Sequence, residues 1–158
     1  RNYADRDVDP ALVEKILDAA RLAPSAKNLQ RTRVVVVRDA DQRRRLVEAA
    51  KGQTFVGQAP VVLAFCAEGD NRHVMSCGHK SSPIDAAIFI DHVTLLAAAE
   101  GLATCWIGAF YQEPVREILG IPEDVEVIEL LPLGYAAAPP PATRNRLPYA
   151  EVVHEGQW

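Results

Sequence analysis

The chain has little of what marks a specialised scaffold. It holds three cysteines, Cys66, Cys77 and Cys105, an odd number with no Cys-x-x-Cys pair. That excludes a disulfide-dense framework and a four-cysteine iron–sulfur site. Neither sign of charge dominates: 17 Lys and Arg stand against 21 Asp and Glu, for a net charge of −4. Broad attraction to nucleic acid or to an anionic membrane is therefore not expected. No long uninterrupted apolar run is present. The longest, within residues 83–101, is broken by Asp85, Asp91 and His92 and makes a poor membrane span. There is no Gly-rich phosphate loop, no His-Glu-x-x-His and no Gly-x-Ser-x-Gly elbow. Internal repeats are missing too, which excludes a solenoid. With no signal-peptide pattern in view, a reduced, cytoplasmic setting is expected.

What is there suits one globular domain. A chain of 158 residues with 49 % hydrophobic and 24 % charged residues can bury a sizeable core. Asp9-Pro10 predicts a helix start, with Leu12, Val13, Ile16, Leu17 and Ala20 on one face and Pro24 beyond the end. Residues 33–38 read as a buried strand. Asp39 caps a second helix that carries Leu46, Val47 and Ala50, with Gly52 just past its end. Residues 60–66 read as a second strand and 67–82 as a loop. Ser82-Pro83-Ile84-Asp85 opens a long helix, with Ser82 as N-cap, Pro83 at the first helical position and Asp85 as a capping-box acid. That helix is apolar almost all round, so it belongs at the centre of a core or at a subunit interface. A short strand (103–107), a helix (114–119, closed by Gly120) and a strand (125–134) follow.

The tail differs. Pro139-Pro140-Pro141 is stiff and extended, and no periodic apolar pattern follows it. Yet Leu147, Tyr149, Val152, Val153 and Trp158 are large and apolar. Such a tail is either disordered or laid across another surface, and its apolar content favours docking. Cys66, His73, Cys77 and His79 are the one group that suggests a metal. Their spacing matches no zinc pattern, so no metal site is expected.

Several segments, taken together, resemble the nitroreductase family. The stretch Ile16-Leu17-Asp18-Ala19-Ala20-Arg21-Leu22-Ala23-Pro24-Ser25-Ala26-Lys27-Asn28-Leu29-Gln30 has that family's helix, Pro-Ser, and Asn and Gln two apart. Gly101 to Phe110 resembles a second family block. Val115 to Pro122, followed by Leu131-Pro132-Leu133-Gly134-Tyr135, resembles a third. The resemblance implies an α+β fold with a central, mostly antiparallel sheet flanked by helices. It implies a homodimer with exchanged C-terminal tails (135–158 here) and FMN at the interface.

The resemblance also implies residue roles. Arg144 and Arg146 match a basic tail pair that binds the FMN phosphate, for which planar guanidinium groups are well shaped. Arg1-Asn2-Tyr3 resembles the end of an N-terminal basic motif, whose Arg-Arg-Ser part would lie upstream. Arg1 then matches the basic position near flavin N1 and O2, where positive charge favours hydride acceptance. Pro24, Ser25, Ala26 and Asn28 match the loop that contacts the ribityl chain and flavin edge, and Gln30 matches the Gln of the motif. Relatives usually continue with Pro-Trp, whereas this chain has Arg31-Thr32. Gln53 matches the polar partner of the pyrimidine edge, where an amide suits both donors and acceptors. Asp85 matches a position near the cofactor, a role that competes with helix capping. Gly108 and Ala109 match the backbone beside flavin N5.

The implied activity is NAD(P)H-dependent reduction of nitroaromatics, quinones, enones or free flavin. Donor and oxidant would take turns in one open slot, and no catalytic side chain is needed. The short segment 67–82, a variable lid in relatives, suggests an open pocket that Phe110 and Tyr111 could line. Reductive dehalogenation, flavin cleavage and flavin binding without turnover are the alternatives on the same scaffold.

Overall fold

The computed structural model describes residues 1–68, 73–139 and 145–158. Helix α1 (Pro10–Ala20) begins as its sequence predicts: the Asp9 carboxylate accepts from the Ala11 N–H at 2.9 Å, and proline follows at the first helical position. Val13, Ile16 and Ala20 are its buried face. Strand β1 (Thr32–Val37) leads to α2 (Ala40–Ala49), capped by Asp39 through the Gln42 N–H. A single turn, α3 (Phe55–Gln58), precedes strand β2 (Val61–Ala67). The long helix α4 spans Ser81–Ala99, and strand β3 is only Ala103–Thr104. Helix α5 (Gln112–Leu119) ends on Gly120, whose φ of 66° closes it in the left-handed conformation. Strand β4 (Glu126–Gly134) completes the sheet, and the tail carries one turn, α6 (Tyr149–Val152).

The four strands lie in the order β1-β2-β4-β3, and every neighbouring pair is antiparallel. Strand alternation then divides the core. Val61, Leu63 and Phe65 of β2 face α1 and α4, with Leu131 and Leu133 of β4 beside them. Val62, Ala64 and Cys66 face the opposite way, onto Leu46, Val56 and Val115 of α2, α3 and α5. All seven β2 residues are buried, as a strand covered on both faces requires. The result is the expected α+β arrangement, a helix layer on either side of an antiparallel sheet.

Two expectations need correction. Residues 33–38 read as a buried strand, but among the described residues β1 is an edge strand, with Val37 alone buried and the other five residues half-buried or exposed. A run of valines states apolarity and cannot say whether a neighbour exists on both sides. Ser82 is not the N-cap of α4. The helix begins at Ser81 after Lys80, which makes no side-chain cap. Pro83 is tolerated at the third position because the first four N–H groups of a helix have no partner within it. By length and composition α4 could cross a bilayer. Here Ala86, Ile90, Val93 and Ala97 instead form part of the protein core.

Candidate functional site

The expected site residues fall into two groups on different layers. The first lies where the loop after α1 meets the start of α4. Asp85 is buried, and its Oδ1 accepts from the Ala26 N–H at 2.9 Å. It is thus not the capping acid of its own helix, because a backbone donor 59 positions away takes its carboxylate. The loop it ties down is unusual. Lys27, Asn28 and Gln30 have φ of 53°, 55° and 50°, a region that costs a non-glycine residue about 1–2 kcal/mol, least for Asn. Such conformations persist only where several contacts hold them. Here Ser25 Oγ accepts from the Gln30 N–H at 3.0 Å, Gln30 Nε2 donates to the Asn28 carbonyl at 3.3 Å, and Arg33 donates to the Gln30 carbonyl at 2.7 Å. Pro24, Ser25, Gln30, Asp85 and Phe89 line a cavity of about 200 Å³ beside this loop.

The second group lies by the α2–α3 turn. Gln53 Nε2 donates to the carbonyl of Ala50 at 2.9 Å and to that of Ala109 at 3.1 Å. A residue of the α2–α3 connection is thereby fixed against the Gly108–Ala109 backbone, which is exposed. Arg1 is next to this region: its Nε donates to Cys105 Sγ at 3.3 Å, and its guanidinium lies 5.5 Å from the Phe55 ring centroid. Phe110 packs into the core below, while Tyr111 is exposed with Lys51 over its ring. The tail residue Arg146 is exposed and donates to its neighbour, the Asn145 carbonyl, and among the described residues it joins neither group. Arg144 lies outside the described residues. No three His, Cys, Asp or Glu side chains converge on a metal position among the described residues.

One residue escaped the sequence reading. Glu129 sits in β4, is 9 % exposed, and its Oε1 has no hydrogen-bond partner among the described residues. Burial pushes its carboxyl up to about 7, opposed by a backbone hydrogen bond at Ile107. A Cβ added to Gly108 would meet Glu129 Oε2 at 3.7 Å. The available signal was a single acid inside Val127-Ile128-Glu129-Leu130-Leu131, an interruption that core packing alone does not call for.

The model of the nitroreductase family matches residues 1–73 and 50–135. The chain belongs to the nitroreductase family. Among curated relatives, the chain is 34 % identical over 183 aligned positions to the NADH dehydrogenase of Thermus thermophilus, covering 97 % of this chain and 89 % of that protein. It is 31 % identical to the FMN reductase [NAD(P)H] of Bacillus subtilis, covering 98 % and 68 %. Among solved structures, the NADPH:FMN oxidoreductase from Vibrio harveyi complexed with NAD+ superposes with a TM-score of 0.89 at 27 % identity, over 100 % of this chain and 73 % of that one.

The residues present fit a flavin mononucleotide. Gly108 and Ala109 offer an open backbone edge with little side-chain bulk, Gln53 brings a carboxamide beside it, and Arg1 adds an exposed cation. Pro24, Ser25 and Gln30 of the loop line the neighbouring cavity with polar and backbone groups suited to a polar chain. In one chain these groups sit in different helix layers, the loop beside α1 and α4 and the Gln53–Ala109 contact beside α2 and α3.

Proposed function

We propose that this nitroreductase reduces small oxidised aromatics, nitroaromatics or quinones, by a ping-pong scheme in which NAD(P)H and oxidant use one open slot in turn. The chain is an NAD(P)H-dependent flavin oxidoreductase with FMN as its cofactor. Bound FMN supplies the hydride-accepting centre, and the side chains bind and orient. Arg1 is assigned to the pyrimidine end, where a positive charge favours electron arrival. Gln53 pairs with the same edge, and Gly108 and Ala109 leave the central ring approachable. Pro24, Ser25, Ala26, Asn28 and Gln30, with Asp85 behind them, cradle the ribityl chain. Arg144 and Arg146 are assigned to the phosphate.

The observation that carries this reading is the Gln53–Ala109 hydrogen bond, which brings two distant site segments together on an exposed backbone edge. The separation of the two groups into different layers supports a second copy of the chain, each flavin taking one group from each subunit. We read residues 1–158 as one domain whose tail, 135–158, packs on that partner. Three features support this. Leu147, Tyr149, Val152 and Trp158 are exposed, as are Ile84 and Leu95 of α4. Strand β1 pairs only with β2 among the described residues. A groove of about 540 Å³, floored by Val13, Leu17, Val34, Val36 and Phe89, runs beside that open edge. Cys66, Cys77 and Cys105 are all free, in keeping with a cytoplasmic setting.

The test is the visible absorbance of the purified protein before and after anaerobic addition of NADPH or NADH. The expected protein is yellow and bleaches. One that stays yellow holds flavin without accepting hydride, and one that takes up no FMN refutes the cofactor site.

A further inference from the structure

Glu129 has no part in the scheme above, yet its placement is costly for a residue without a task. A carboxyl group inside an apolar strand loses its hydration, and one of its oxygens gains no partner in exchange among the described residues. A leucine would fill much the same space without that cost. The second oxygen lies beside Gly108, 3.7 Å from where a Cβ on that residue would be. Gly108 has no side chain, is exposed, and leaves Oε2 in van der Waals range of where its Cβ would be. The carboxyl group therefore stands directly behind the backbone segment that the functional reading sets against the flavin. The Ile107–Leu130 backbone bridge on the neighbouring pair fixes that relation, with hydrogen bonds of 3.0 and 3.1 Å.

We propose that Glu129 is a proton-holding positioning residue: its carboxylate takes up a proton when electrons reach the site behind Gly108 and returns it when they leave. The inference rests on the assignment of Gly108–Ala109 to the flavin. Hydride from NAD(P)H brings two electrons and one proton, adds one negative charge to the site, and leaves NAD(P)+. Water supplies a second proton to the Glu129 carboxylate, giving the neutral acid, so the net charge of the loaded site is unchanged. When the oxidised substrate removes the electron pair, the carboxyl releases its proton to solvent. The direction follows from electrostatics: a new negative charge on the far side of Gly108 favours the protonated form of a buried acid. Burial already holds this carboxyl up to about 7, so the exchange falls near neutral pH. The titratable and charged groups on the elements packed against β4 are Cys66 on β2, Asp85, Asp91 and His92 on α4, and Glu113, Arg116 and Glu117 on α5, with Glu126 on β4 itself and Cys105 after β3. None of them is among the causes of the shift, which are burial and the backbone at Ile107.

The experiment is a potentiometric titration of the FMN-loaded protein across neutral pH, for the native chain and Glu129→Gln. Infrared difference spectra of oxidised and reduced protein are recorded alongside. Glutamine keeps the size and removes the proton. The native potential is expected to fall with pH more steeply than that of E129Q, by up to about 30 mV per pH unit, which is a tenfold change in the equilibrium constant per unit for a two-electron couple. A carboxylic-acid C=O band should appear on reduction in the native protein and be missing from E129Q. Equal slopes and an unchanged infrared difference in a variant that still binds FMN overturn the role of Glu129 while leaving the flavin site standing. Failure of the native protein to bind FMN overturns both.

Discussion

Replacing Asp85 tests how the strained loop is kept ready for its ligand. In the native chain Asp85 is buried and bonds the Ala26 N–H, at the start of a segment where Lys27 and Gln30 both hold positive φ. Together those two conformations cost roughly 2–4 kcal/mol. The Asp85 bond, a hydrogen bond to a charged group, contributes about 1.5–3 kcal/mol. Asp85→Ala removes the anchor, and the loop then relaxes and recovers part of the strain. The two terms nearly offset each other in the stability of the free protein, so its melting temperature should move by only a few degrees. Binding FMN must then restore the strained conformation. If that takes about 2–3 kcal/mol, the FMN dissociation constant rises about 30- to 150-fold. Asp85→Asn keeps an oxygen to accept from Ala26 and should stay within a few-fold of the native value. Fluorescence titration of apo-protein with FMN measures all three. Native affinity in D85A refutes the reasoning, and so does an equal loss in D85N and D85A, which would make Asp85 a direct contact of the cofactor rather than an anchor.

Two further outcomes follow from packing and charge. A Cβ on Gly134 would lie 2.6 Å from Pro60 Cδ and 3.1 Å from Tyr3 Cδ1, both parts of rigid rings, so Gly134→Ala should destabilise by about 1–3 kcal/mol in a denaturant melt; an unchanged midpoint would show that the β4 end gives way freely. The Glu129 carboxyl rises from 4.5 to about 7 on folding, so its share of stability is fully present below about pH 4.5 and lost as pH climbs through about 7. That loss is ~3 kcal/mol, and E129Q should flatten this part of the stability–pH curve; parallel curves for the two proteins would contradict it.

Local chemistry made much of the fold legible. Asp9-Pro10, Asp39 and Gly120 end or begin helices where their side chains and backbone freedom say they should. Strand alternation in Val61–Ala67 divides cleanly between the two helix layers. What failed was information held by distant partners. Ser82-Pro83 has the form of a helix start, but the chain is already helical at Ser81, and both serines are buried by tertiary packing. Asp85 obeys a donor far away in sequence. The four valines of β1 could not announce an open edge. In the candidate site, the resemblance supplied the positions, and the structure ties Ala26 to Asp85 and Gln53 to Ala109. Glu129 went unread because its meaning depends on Gly108, a residue far away in sequence, in the irregular segment after β3.

Helix α4 has a consequence for how the protein is made. A 19-residue segment this apolar is a hazard while it is a nascent chain, since targeting factors read hydrophobicity before any fold exists. Of the elements it packs against, α1, β1 and β2 precede it in the sequence, and β3 and β4 follow. Vectorial synthesis therefore delivers α1, β1 and β2, three of the elements that α4 packs against, before the helix that needs them.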